Sequence, residues 1–173
     1  MTTASKITIF RVILVPVFLV LAYQGLSRAA FVVFVIASLS DFADGYIARH
    51  YNQITDFGKF MDPLADKMLV VACMCYFVQA LRMPGWVLAV VCFREFAVSG
   101  LRLIAVEKNL VIAAGWSGKI KTASTMIGLC LMLLFDNSAT LDTVASLIIL
   151  ISTVYSGVEY FIKNKSVFKE NNI

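Results

Sequence analysis

Two pairs of aspartates, Asp41 with Asp44 and Asp62 with Asp66, are the residues of this chain best suited to chemistry. Spacings of three and four residues place each pair on one face of a helix. The flanking segments are apolar enough to enter a membrane, where an uncompensated carboxylate is costly and marks a functional site. Four neighbouring carboxylates repel one another unless a cation neutralises them, and hard oxygen ligands favour Mg²⁺ or Mn²⁺ over zinc. The pattern therefore predicts a divalent-metal site.

Small and basic residues adjoin the first aspartate pair. Gly45 and Ala48 lie on or near the same predicted helix face, and their small size lets a ligand or a neighbouring backbone approach closely. Arg49 follows at the predicted helix end, where a cation can meet a phosphate.

Two helices must bring the aspartate pairs together. Residues 51–59 are numerous enough to turn one helix into an antiparallel neighbour, so that the two acidic faces meet in an all-oxygen site. Pro63 is expected near the start of the second helix, where its missing N–H costs little.

The composition predicts the setting of these helices. Hydrophobic residues make up 60% of the chain and charged residues 15%, and the mean hydropathy is +0.85. Soluble domains contain about 45–50% apolar and about 25% charged residues. We therefore expect one all-α integral membrane domain over residues 1–173, with a polar, metal-binding cavity. A span needs about 20 mainly apolar residues, and six segments qualify: 7–25, 29–49, 59–81, 84–106, 118–136 and 140–162.

Basic residues predict the orientation. With six spans, thirteen of the 15 Lys and Arg residues fall on the side that carries both termini, and Arg28 and Arg82 fall on the other side. Because cytoplasmic loops carry an excess of Lys and Arg, both termini and the aspartates are expected at the cytoplasmic side. The net charge of +4 suits an anionic membrane surface, and no basic soluble domain is present to suggest nucleic-acid binding.

The stretch from Asp41 to Asp66 resembles the signature of the CDP-alcohol phosphatidyltransferase family. That signature is Asp-x-x-Asp-Gly-x-x-Ala-Arg, eight residues, then Gly-x-x-x-Asp-x-x-x-Asp, and every defined position is present. The six-span architecture of the family extends the resemblance over essentially the whole chain. Softer matches at residues 6–16, 94–102 and 118–122 resemble the branch of the family whose acceptor is glycerol 3-phosphate.

The resemblance implies a reaction and a role for each signature residue. A phosphatidyl group passes from CDP-diacylglycerol to an alcohol, and CMP is released. Asp41, Asp44 and Asp62 hold metal, and Asp66 is the general base that also contacts a second Mg²⁺ or Mn²⁺ ion. The residues implied to bind CDP are Asp44, Gly45, Ala48, Arg49 and Gly58. The family also implies a homodimer. The small size of the chain is compatible with a bacterial cytoplasmic membrane, which is the expected location.

Four basic residues point to an anionic acceptor, because a phosphate dianion favours clustered cations. They are Arg94, Arg102, Lys119 and Lys121. Lys119 and Lys121 are two apart on a helix, so both are not expected to face one phosphate without distortion. Arg94 lies well inside an apolar segment, and Glu95, as its immediate neighbour, is not expected to share its helix face.

Several alternatives share features of this pattern. The same chemistry with another acceptor, such as inositol phosphate, also needs basic residues. Intramembrane prenyltransferases use paired aspartates, but their two motifs are much farther apart in sequence. A divalent-cation transporter would carry acids at several depths, whereas the aspartates here lie at one predicted depth in two neighbouring helices.

Overall fold

The computed structural model describes only part of the chain. Its backbone covers residues 3–50, 56–108, 115–136 and 138–168. Side chains are described for residues 7–40, 61, 64, 65, 67–108, 115–136, 138–165 and 167. The aspartate signature is therefore described mainly through its helical backbone.

Six α-helices and one short 3₁₀ helix make up the described residues, with no strand among them. The α-helices are α1 (Thr3–Tyr23), α2 (Ser27–His50), α3 (Asp56–Gln79), α4 (Gly85–Glu107), α5 (Trp116–Leu134) and α6 (Ala139–Lys163), and the 3₁₀ helix follows at Lys165–Phe168. Each predicted apolar segment corresponds to one of these helices. The all-α prediction is thus confirmed, and the element boundaries agree to within about four residues.

Membrane crossing is supported most directly for α6. Within the described residues, this is the one helix that is both long and apolar enough to cross a membrane. Shorter apolar helical stretches cover Ile7–Tyr23, Ser27–Ser40 and Lys67–Gln79. Six crossings therefore remain a prediction.

Helix α3 begins earlier than its hydrophobicity predicts. It starts at Asp56, so the expectation that Pro63 lies near enough to the helix start for its missing N–H to cost little is wrong. Pro63 lies inside the helix, where it offers no N–H to the carbonyl of residue 59. The link between α2 and α3 shortens accordingly to residues 51–55, which lie outside the described part of the chain.

The main core is built by residues from all six α-helices. Phe18 and Phe34 are fully buried and pack with ring centroids 5.8 Å apart, which ties α1 to α2. Leu69 of α3 and Met132 of α5 belong to the same buried cluster. A second, smaller cluster joins α4 to α6 and to the 3₁₀ helix. These two clusters fix the helices that carry the polar side chains described below.

The Arg82 guanidinium joins two of the turns between helices, and we call its set of contacts the Arg82 clasp. Arg82, in the α3–α4 turn, donates two hydrogen bonds of 2.8 Å to the carboxylate of Asp142 and one of 2.8 Å to Asp136. It also donates to the carbonyls of Met132, in the last turn of α5, and of Phe135, just after α5, at 2.7 and 3.1 Å. One side chain therefore joins the α3–α4 turn to the α5–α6 turn.

Candidate functional site

The two aspartate pairs lie on helices that contact each other. Asp41 and Asp44 fall in the last three turns of α2, and Asp62 and Asp66 fall in the first three turns of α3. The helical spacing that was predicted to put each pair on one face is therefore confirmed for the backbone. The side chains of these four residues lie outside the described ones, as do those of Gly45, Ala48, Arg49 and Gly58, so their ligand roles stay predictions.

The chemistry of the donor set fits a divalent cation. Four aspartates on two adjoining helices supply oxygen ligands alone, which Mg²⁺ and Mn²⁺ accept. Among the side chains that the structure describes, no three His, Cys, Asp or Glu residues come together as another metal site.

Glu95 of α4 is the centre of a cluster of charges contributed by three helices. Its Oε1 accepts hydrogen bonds from Lys121 Nζ at 2.7 Å and from Arg94 Nη1 at 2.9 Å. Its Oε2 lies 3.8 Å from Lys67 Nζ. Lys67 also donates a hydrogen bond to Ser99 Oγ, so the residue that follows Asp66 in the chain is attached to α4. This cluster adjoins the aspartate signature in sequence and brings two predicted acceptor residues together.

Arg94 is held on several sides. Besides its bond to Glu95, its Nη2 donates to Ser156 Oγ of α6 at 2.7 Å. A Cβ at Gly157 would lie 3.3 Å from Arg94 Cγ, so the glycine leaves just enough room for the arginine stem. The Nε of Arg94 is buried and has no hydrogen-bond partner among the described residues. Arg94 pairs with Glu95 although the two residues do not share a helix face, because long side chains bring their charged ends together; the bond to Ser156 shows that this pair is not the only contact of Arg94.

Lys121 and Lys119 occupy different environments, as their spacing predicts. The Lys121 side chain is 6% exposed and ends on Glu95. Lys119 is exposed, and its Nζ lies 4.9 Å from the centroid of the Trp116 ring. The two ammonium groups therefore do not converge, and Lys121 is the one that joins Arg94.

Arg102 lies two turns beyond Arg94 on α4 and belongs to another contact. Its Nε donates to the Tyr160 hydroxyl of α6 at 3.1 Å, and its guanidinium carbon lies 5.8 Å from the centroid of that ring. Eight residues of helix correspond to about 12 Å of rise, so Arg94 and Arg102 sit at different heights along the bundle.

Comparison with known proteins agrees with the signature. A family model described as CDP-alcohol phosphatidyltransferase matches residues 1–158. The chain belongs to the CDP-alcohol phosphatidyltransferase family. Proteins of this family are embedded in membranes, which agrees with the apolar character of α6.

Several relatives within the family carry one name. A protein of Bacillus subtilis (strain 168) named CDP-diacylglycerol–glycerol-3-phosphate 3-phosphatidyltransferase is 38% identical over 188 aligned positions, which cover 97% of each chain. A Rickettsia typhi protein of the same name is 34% identical over 173 positions, covering 95% of this chain and 97% of the relative. One from Salmonella typhimurium (strain LT2) is 38% identical over 137 positions, covering 75% of each chain.

Two polar residues near the candidate site were given no place in it from the sequence. Arg11 was counted among the charges that set orientation, yet it is fully buried, and its Nε donates a long hydrogen bond of 3.4 Å to Ser40 Oγ, next to Asp41 in the chain. Glu95 received no role. A signal did exist for Glu95, because a single acid within an apolar helix is costly unless a cation neutralises it.

Proposed function

We propose that this chain transfers the phosphatidyl group of CDP-diacylglycerol to sn-glycerol 3-phosphate, giving phosphatidylglycerophosphate and CMP. The observation that carries the proposal is the full-length similarity to the Bacillus subtilis protein named for this reaction, at 38% identity over 97% of each chain. The intact aspartate signature on two contacting helices supports the same chemistry.

The aspartates would hold the metal and move the proton. Asp41, Asp44, Asp62 and Asp66 would bind two Mg²⁺ or Mn²⁺ ions, which supply Lewis-acid polarisation of the phosphoryl oxygens and stabilise the leaving group. Asp66 would accept the proton of the acceptor hydroxyl. The hydroxyl oxygen then bonds to the phosphorus that carries diacylglycerol, and the bond from that phosphorus to the bridging oxygen breaks. CMP departs with that electron pair.

The small residues of the signature would shape the nucleotide pocket beside the metal. Gly45, Ala48 and Gly58 would allow close approach of the CDP moiety, with Asp44 at its edge. Arg49 would neutralise part of the diphosphate charge. The acyl chains would then extend sideways into the bilayer.

Arg94 and Lys121 would bind the phosphate of the acceptor. Both end on the Glu95 carboxylate and are mostly buried, so they act where charge is poorly screened by water. Lys67, Arg94 and Lys121 outweigh Glu95 by two positive charges, which matches a phosphate dianion. Arg102 and Lys119 are exposed and pair elsewhere, with Tyr160 and with the Trp116 ring, so we do not expect them to contact the acceptor phosphate held by Arg94 and Lys121.

The membrane arrangement follows the distribution of charge. All six helices would cross the bilayer as one domain, with the termini and the aspartates at the cytoplasmic side and the Arg82 clasp at the opposite side. The functional unit would be a homodimer in the bacterial cytoplasmic membrane.

An acceptor panel tests the proposal. The purified protein in detergent is given CDP-diacylglycerol and Mg²⁺, and CMP release is measured with glycerol 3-phosphate, inositol phosphate, inositol, serine or phosphatidylglycerol supplied singly. We expect release with glycerol 3-phosphate alone, and its loss in Asp66→Asn. Release with a different acceptor would refute the acceptor assignment, and no release with any acceptor from folded protein would favour cation transport.

A further inference from the structure

Glu95 lies outside the aspartate signature, and it contacts more cations than a single ion pair contains. It lies on an apolar helix, its side chain is 19% exposed, and it contacts cations from α3, α4 and α5. A carboxylate that pairs with three helices at once can fix the relative positions of their cationic groups.

The contact geometry is specific. Lys121 Nζ and Arg94 Nη1 donate to the same oxygen, Oε1, at 2.7 and 2.9 Å. The two donors are therefore held less than about 6 Å apart, although their positive charges repel each other. One phosphate can accept hydrogen bonds from two cationic groups at that separation.

We propose that Glu95 is a positioning residue for the acceptor phosphate, holding the Lys121 ammonium and the Arg94 guanidinium convergent before glycerol 3-phosphate arrives. This inference rests on the proposed function, because it takes the acceptor to be a phosphate bound by those two residues. Glu95 itself does not touch the reacting atoms. Its carboxylate lowers the net positive charge of the cluster, and it also holds the two cationic groups in place for the phosphate.

The two effects of Glu95 on acceptor binding have opposite signs, which makes the inference testable. If the carboxylate acted through charge alone, removing it would leave a more positive site that binds an anionic acceptor more tightly. If it acts by positioning, removing it lets the two cations separate and weakens acceptor binding in spite of the added positive charge.

The experiment is steady-state kinetics of Glu95→Gln, with each substrate varied separately. We expect the KM for glycerol 3-phosphate to rise about tenfold or more, the size expected for losing a charge-assisted hydrogen bond. The KM for CDP-diacylglycerol should stay within about twofold. Glu95→Asp keeps the charge on a shorter side chain and should recover part of the affinity. The matched control is Glu107→Gln, which removes an exposed acid from the last turn of the same helix and should leave both KM values unchanged.

Each remaining outcome has a definite meaning. A lower KM for glycerol 3-phosphate in Glu95→Gln, or equal changes for both substrates, would overturn the positioning role. If that variant does not fold, the double variant Glu95→Gln with Lys121→Gln replaces it. Its KM for glycerol 3-phosphate should exceed that of Lys121→Gln alone, because Glu95 still holds Arg94 in the single variant; an equal or lower KM would overturn the positioning role. Lys121→Gln also tests the two proposals separately. If its KM for glycerol 3-phosphate is normal, the acceptor assignment fails. If its KM is raised while the KM of Glu95→Gln is normal, only the positioning role of Glu95 is refuted.

Discussion

Replacing Arg82 by methionine should destabilise the protein strongly, because Arg82 is the sole clasp described between the α3–α4 and α5–α6 turns. Its guanidinium makes a two-bond pair with Asp142, whose side chain is 8% exposed, and bonds to two carbonyls at the end of α5. Breaking a buried ion pair by removing one partner costs about 3–5 kcal/mol, since the other charge is left uncompensated. We expect Arg82→Met to lose a free energy of unfolding in that range.

The carboxylates that Arg82 contacts provide a graded comparison. Asp142 is buried and Asp136 is 43% exposed, although both lie 2.8 Å from the guanidinium. Exposed ion pairs contribute about 0–1 kcal/mol, so Asp136→Asn should be nearly neutral. Asp142→Asn should cost about 1.5–3 kcal/mol, the range for hydrogen bonds to charged groups.

The assay is reversible unfolding in mixed micelles with increasing denaturing detergent, followed by loss of tertiary packing. The hydrogen bond that Arg82 donates to Asp142 raises the pKa of Arg82, which favours its charged form. A group whose pKa is raised by folding stabilises the folded state at every pH below its ordinary pKa, and this stabilisation is lost only as the pH rises through its pKa in the folded state. The loss of stability in Arg82→Met should therefore not vary with pH near neutrality. Equal and small losses for Arg82→Met and Asp136→Asn would refute the buried-clasp reasoning.

The remaining predictions concern the site. Lys121→Met should raise the KM for glycerol 3-phosphate about tenfold or more, since Lys121 is buried beside Arg94, whereas the exposed Lys119→Met should change it less than about threefold. Gly157→Ala should lower kcat/KM about three- to tenfold without loss of thermal stability, because its Cβ would crowd Arg94 Cγ at 3.3 Å. The control is Gly100→Ala, since a Cβ added at Gly100 would have no atom within 4 Å. Chelation by EDTA should abolish CMP release, and added Mg²⁺ or Mn²⁺ should restore it; activity that persists after chelation would contradict the metal role.

Hydrophobicity predicted the six helices because each contains an apolar run bounded by polar or turn residues. The predicted 84–106 and the observed Gly85–Glu107 differ by one residue at each end. The start of α3 was missed by three residues, 56–58, which include an acid and a glycine, and an apolar pattern does not distinguish such residues from a turn. Pro63 reinforced that error, since proline most often marks the beginning of a helix.

The site was predictable where a fixed spacing carried the information and not where long side chains determined the contact. The aspartates of α2 and α3 follow helical periodicity, so their backbone placement could be read in advance. Arg94 and Glu95 meet although they are adjacent in the chain, because their side chains are long and flexible, and the same Glu95 carboxylate also accepts a hydrogen bond from Lys121. Arg11 is buried against α2 by the packing of α1, which no local pattern of charges indicates.

The measurement that tests the central claim most directly is transfer of labelled glycerol 3-phosphate into lipid by the purified protein. CDP-diacylglycerol and Mg²⁺ are supplied, and the organic-extractable label is compared with the CMP released. We predict one labelled lipid phosphate for each CMP, with neither product in Asp66→Asn. CMP release without labelled lipid, or labelled lipid formed equally well by Asp66→Asn, would contradict the account.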